Sequence, residues 1–248
     1  MDLLRSEWIK FHTVRVTYVL SIIAGAFPLV FVVLVTALRP RPAVGEDFDL
    51  VGMVTGTMVL TALLMGVVSA LSLTNEYSHG TIRSTFAAVP KRRNVLIAKA
   101  CVSLVVTMVY ATIVMIVSLV VGQLISRSRG AHISLRGDDR AAMFGLIALC
   151  GLVSLLGYAL ALIIRNSAAT VTLLVLWPLL LENLVRLVLT ATNIENPTRF
   201  LPYQSAIVMT VPRIDPTDPS RIQGGLYLGA IVFALIVIGI VINERRDA

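Results

Sequence analysis

The chain has 248 residues, 57% hydrophobic and only 14% charged, with 21 Lys and Arg against 14 Asp and Glu. A soluble domain carries about 25% charged residues and about 45–50% apolar ones, so these figures exclude an ordinary water-soluble enzyme, a disordered chain and a collagenous or coiled-coil protein. Two Cys exclude a disulfide scaffold and a Cys-rich zinc module, which leaves an integral membrane protein organised as a single transmembrane domain over residues 1–248. The net charge of +7 lies mostly beside apolar runs, where anionic lipid head groups attract it, and argues for a membrane surface rather than nucleic acid.

Taken in chain order, Leu3, Leu4, Glu7, Trp8, Phe11 and Arg15 predict a short amphipathic helix in the membrane interface. The first uncharged run, Val16–Leu38, has 23 residues, enough to cross a bilayer that needs about 20. No A-x-A site follows it, so it is expected to be retained rather than cleaved as a signal peptide. Further uncharged runs are Leu50–Thr74, Ala100–Ser126, Ala141–Ile164 and Ile222–Asn243, of 25, 27, 24 and 22 residues. A weaker candidate begins at Asn166 and offers 16 uncharged residues before Glu182, with Arg186 one turn later. It crosses over about 167–187 if both charges sit near a boundary; otherwise it is re-entrant, leaving five crossings. The fold class expected is an all-α membrane protein with six spans, at about 16–38, 50–74, 100–126, 141–164, 167–187 and 222–243.

Six crossings place both termini on one side. That side carries eleven Lys and Arg and the other ten. Long loops translocate largely regardless of charge. Without the segment Glu182–Gln223 the balance is eleven against six, and both termini are expected in the cytoplasm, with the chain in the plasma membrane.

The segment between the second and third spans reads Asn75-Glu76-Tyr77-Ser78-His79-Gly80-Thr81-Ile82-Arg83, runs on to Pro90, and ends in Lys91-Arg92-Arg93. A short amphipathic helix running to about Val89 and stopped by Pro90 is suited to docking a cytoplasmic partner. The alternative is a solvated loop carrying positive-inside charges.

These residues carry a resemblance. The opening Leu3-Leu4-Arg5-Ser6-Glu7-Trp8-Ile9-Lys10, the Glu76-Tyr77-x-His79-Gly80-Thr81-x-Arg83 core, Lys99, the Arg199-Phe200-Leu201-Pro202-Tyr203 motif and the Glu244-Arg245-Arg246-Asp247 ending resemble permease subunits of type 2 ATP-binding-cassette transporters, in an actinobacterial style. The resemblance implies six helices with an N-terminal interfacial helix, a cytoplasmic coupling helix between spans two and three, and short external helices between spans five and six. It implies partners as well: two ATPase subunits, which bind ATP and Mg, and a second permease copy or a related permease. Glu76, Tyr77, Ser78, His79, Gly80, Thr81, Ile82 and Arg83 would then form the ATPase-contacting region, with Glu76 and Arg83 supplying charge-assisted contacts. The sequence has no G-x-x-x-x-G-K-[ST] loop, so ATP bound in that way belongs to a separate chain, and no cofactor is expected in this one.

Other constellations are weaker. In the resembled family, spans two and five face the central pathway, so Thr57, Thr61 and Met65 would line it together with Leu174, Trp177 and Leu181. The competing reading is helix packing, with Thr hydroxyls bonded back to their own helix. Glu182 and Arg186 lie four apart and can pair on one helix face, either as an outer gate or as a structural pair, and Pro178 can kink the helix before them. Gly52-x-x-x-Gly56 and Gly225-x-x-x-Gly229 fit close helix packing. His12, His79 and His132 show no metal-ligand spacing with Cys101 and Cys150, and no nucleophile elbow appears, so the chain is not expected to be catalytic by itself. Two functions remain in view. One is the permease of an ATP-driven exporter of amphipathic or hydrophobic molecules such as drugs, antibiotics, peptides or lipids, since the spans hold few charges. The other is a non-transporting scaffold, sensor or immunity protein.

Overall fold

The computed structural model describes residues 15–39, 48–79, 92–130, 137–192, 194, 196–211 and 219–246. The expected interfacial helix before Arg15, and Gly80, Thr81, Ile82 and Arg83 of the expected coupling helix, lie outside the described residues. Among those described, the regular structure is entirely helical: α1 (Arg15–Leu38), α2 (Leu50–Ser78), α3 (Arg92–Ser128), α4 (Gly137–Ile164), α5 (Ser167–Leu176), a π-helical turn (Trp177–Leu181), α6 (Glu182–Ala191), a 3-10 turn (Pro197–Phe200), α7 (Pro202–Ile207), a second 3-10 turn (Val208–Thr210) and α8 (Arg221–Arg246).

Six helical stretches are long and apolar enough to cross a membrane, with α5, the π turn and α6 forming one of 25 residues. Several helices outrun the uncharged stretches that announce them. α3 begins at Arg92 rather than Ala100 and α2 continues to Ser78, because Arg, Lys, Glu and Asn do not stop a helix as Gly or Pro would. Asp49 starts α2 by accepting the Gly52 N–H at 2.8 Å, and Asn166 starts α5 by accepting that of Ala169 at 3.0 Å; both satisfy amides that a helix start leaves without partners. Between α4 and α5, Arg165 adopts a left-handed backbone with φ 55°, which closes α4 in a single residue.

α2 and α4 form the centre of the bundle, with 61% of an apolar 18-residue stretch buried in each, against 22% of such a stretch in α1, α3 and α8 and 17% in the α5–α6 span. Their apolar core runs through Val54, Met58, Ala62, Leu146, Leu149 and Val153. The two helices cross where glycines meet: a methyl group added at Gly157 would run into the Gly66 carbonyl oxygen. Gly145 of α4 and Gly224 of α8 likewise admit the carbonyls of Met209 and Ser205. The spaced glycine pairs expected to mark close packing behave otherwise. Gly56 faces open space, Gly52 meets only the Asp49 cap, and Gly225 and Gly229 meet side chains of Met209 and Leu152. Small-residue spacing allows backbones to approach, but the tertiary arrangement selects which glycines do so.

Candidate functional site

At the end of the bundle where α1 begins and α8 finishes, α2 closes and α3 opens, so the helices flanking residues 80–91 stand side by side. Glu76, in the last turns of α2, is 7% exposed, and its Oε1 accepts a bond from Lys99 Nζ of α3 at 2.7 Å. Its charge therefore has a cationic partner within the chain. This differs from the expectation that Glu76 offers its charge to another subunit, and the cause is packing: the α2–α3 contact turns position 76 inward. Burying two charges is costly in itself, and removing one partner from such a pair costs about 3–5 kcal/mol.

The next residue faces another way. Tyr77 Oη donates to Asn243 Oδ1 of α8 at 2.6 Å, and the Arg165 guanidinium lies 4.9 Å from the Tyr77 ring centroid and also donates to Asn243. Asn243 uses its own amide to donate to the carbonyls of Leu162 and Gly239, at 3.0 and 2.7 Å. One side chain thus ties α2, α8 and the α4–α5 turn together. Ser78 and His79 are exposed; the Ser78 hydroxyl and the His79 backbone N–H donate to the Asn75 carbonyl at 3.1 and 3.0 Å, ending the helix. Of the expected ATPase-contacting set, then, Glu76 and Tyr77 are tied into the bundle, while Ser78 and His79 lie on its surface.

The six residues expected along a pathway do not share one surface. Thr61 is fully buried and donates to the Ala24 carbonyl of α1 at 2.7 Å. Thr57 bonds back to Met53 and Val54 of its own helix at 3.1 and 2.9 Å. Met65 and Leu174 are each 1% exposed, whereas Trp177 and Leu181 are 43% and 42% exposed. Leu174 and Trp177 do line an apolar cavity of about 250 Å³, together with Val153 and Leu156 of α4 and Leu228 and Leu235 of α8. The α4 and α8 contributors carry no sequence signal, because an apolar residue facing a cavity looks like one facing the core.

At the opposite end of the bundle the same cavity is bounded by Glu182, Pro202 and Tyr203. Pro178, where a kink was expected, sits in the π-helical turn Trp177–Leu181, an arrangement frequent at functional sites. After this turn Glu182 is 2% exposed. Its Oε1 accepts from Trp177 Nε1 at 3.0 Å and from the Tyr203 backbone N–H at 2.9 Å, and its Oε2 from the Gln204 N–H at 2.9 Å. The expected Glu182–Arg186 pair does not form; Arg186 is exposed. The carboxylate instead caps α7, whose first turn holds Pro202 without an N–H and whose preceding Leu201 has no side chain to cap it. Amides at a helix start carry partial positive charge, and a carboxylate meets that need through charge-assisted bonds. Around it, burial pushes the Tyr203 phenol well above its ordinary range.

Among the described residues, no three His, Cys, Asp or Glu side chains come together as a metal site. A comparison with curated proteins finds no match. The comparison with protein families finds one: residues 3–191 match the family described as ABC-2 family transporter protein. The matched stretch takes in the first five spans, the Glu76–Lys99 pair and Glu182. With six apolar helices arranged in one bundle, the chain belongs to the ABC-2 family of transporter proteins and is a multi-pass membrane protein.

Proposed function

We propose that the chain is the membrane-spanning permease subunit of an ATP-driven exporter, moving amphipathic or hydrophobic molecules out of the cytoplasm by alternating access. The family match over residues 3–191 carries this reading. In this reading a separate ATPase subunit binds ATP and Mg, which is supported by the lack of a G-x-x-x-x-G-K-[ST] loop in the sequence. The buried charges support the substrate class: Glu76 is held by Lys99 and Glu182 by α7, so neither carboxylate is presented to a charged solute. The ATPase docks on the segment that leaves α2 at Ser78 and His79 and continues through Gly80, Thr81, Ile82 and Arg83, anchored at its base by Glu76 and Tyr77. Two permeases, as a homodimer or with a related chain, pair with two ATPases, and both termini lie in the cytoplasm. Trp177 and Leu181, on the exposed face of the fifth span, line the pathway together with Thr57, and Glu182 governs its outer end.

The test is purification from native membranes in mild detergent, followed by reconstitution with the co-purifying chains. A stoichiometric ATPase whose hydrolysis depends on this chain is the expected result. An intact chain that recruits no ATPase would overturn the proposal in favour of a scaffold or sensor. Topology is checked separately by single cysteines on a Cys101→Ser background: those at Ser128 and Asp138 should react with an impermeant thiol reagent from outside cells, and those at Ser78 and Arg93 should not.

A further inference from the structure

α3 attaches to its neighbours along a narrow stripe, and near the termini that stripe is polar. Lys99, Ser103 and Thr107 repeat every four residues, which places them on one helix face; they are 5%, 3% and 1% exposed. Lys99 bonds to Glu76 of α2 at 2.7 Å. One turn along, the Ser103 hydroxyl lies 2.6 Å from that of Ser69 on α2 and 2.9 Å from that of Ser154 on α4. Another turn along, Thr107 donates to the Ser154 hydroxyl at 3.1 Å. From α4, Tyr158 returns a bond to the Leu96 carbonyl of α3 at 2.8 Å. Beyond Thr107 the stripe turns apolar through Ala111 and Met115. A hydroxyl in an apolar bundle bonds in few directions, so a chain of them fixes the register of the helices that carry it.

We infer that this seam locks the terminal halves of α2, α3 and α4 into one mechanical body, with Lys99 and Ser103 as positioning residues that stop the helices flanking residues 80–91 from parting. The inference rests on the proposed coupling of that segment to an ATPase. A push delivered there would otherwise spread α2 from α3; the seam passes it to α4 at the centre of the bundle. The ion pair resists separation because opening it leaves a charge buried, and the hydroxyl chain holds α4 to both partners.

The test uses the complete transporter in lipid nanodiscs and reads the ATP hydrolysis that the permease adds to that of the ATPase chain. The background carries Cys101→Ser and Cys150→Ser. The 2.6 Å approach of the Ser69 and Ser103 hydroxyls makes the pair Ser69→Cys and Ser103→Cys suitable for oxidation to a disulfide. Oxidation should leave the stimulation in place. Lys99→Met should lower it about tenfold, the scale of a coupling change, the oxidised disulfide should restore it, and reduction should remove the rescue. Loss of stimulation on oxidation, relative to the same cysteine pair kept reduced and with Lys99 in place, would show that α2 and α3 must part and would overturn the inference. Lys99→Met protein that inserts normally but is not rescued would overturn it as well, since Lys99 would then act other than mechanically. If Lys99→Met fails to fold, oxidation of the Ser69→Cys, Ser103→Cys pair with Lys99 in place decides alone. An unaltered chain that neither binds nor stimulates an ATPase strikes at the permease proposal, a result separate from stimulation that is present and then lost on cross-linking.

Discussion

The molecule buries a carboxylate at each end of its bundle and neutralises the two by different means. At the end where α1 begins and α8 finishes, Glu76 meets the ammonium group of Lys99 at 2.7 Å. At the opposite end, Glu182 meets two backbone amides of α7 and the Trp177 indole, at 2.9 to 3.0 Å. A side-chain partner can be exchanged by mutation; a backbone amide cannot. The first arrangement is therefore a joint between two helices that a matched pair of substitutions can rebuild. The second is a cap without which a short helix loses its start.

Mutations that break each arrangement sharpen this contrast. The largest loss is expected for Glu76→Ala, which leaves Lys99 buried without its carboxylate and should cost about 3–5 kcal/mol, seen as a lowered unfolding temperature in detergent. Glu182→Ala should follow at about 2–4 kcal/mol, from α7 amides left unsatisfied, and protease access to the 197–210 segment should rise with it. Glu182→Gln keeps one acceptor oxygen and should lose about half as much. Tyr158→Phe removes one bond of the α3–α4 contact and should cost about 1 kcal/mol. The double substitution Glu76→Met and Lys99→Met should come within about 1 kcal/mol of the unaltered protein, because matched apolar replacements of buried pairs are often neutral; a loss as large as that of Glu76→Ala would show that Glu76 is held by more than its charge partner. Arg186→Ala should change stability by less than about 0.5 kcal/mol, since Glu182 is satisfied elsewhere.

The same contrast explains what was legible in the residues. Glu76 and Lys99 both stood out, one in the loop motif and one at the start of the third span, yet 23 positions separate them and no periodicity links them across the intervening segment. Glu182 stood out as a charge in an apolar stretch, and helical spacing pointed to Arg186. That spacing holds only while the helix is free to satisfy its own charges. Here the π turn and the packing of α7 brought amides 21 and 22 positions away, and backbone groups have no letter in a sequence. Pro178 flagged the irregularity but not its form. Thr61, paired by spacing with Thr57 as a pathway residue, instead joins α2 to α1 through the Ala24 carbonyl, since either face of a wholly apolar helix can turn inward.

By itself, the amino-acid order determined that this is an all-helical membrane protein with five uncharged stretches able to cross, and offered a sixth whose course Glu182 and Arg186 left open. Hydropathy and helix formation are local: a run of about 20 apolar residues is settled by its own composition and length. It also determined that no phosphate-cradling loop of the usual kind resides in this chain. The tertiary structure alone decided which helices are central, which glycines let backbones touch, and which partners the buried charges and hydroxyls find. Those outcomes depend on distances between residues far apart in the chain, and in an apolar bundle a buried polar group can take a partner only from whatever the packing brings near.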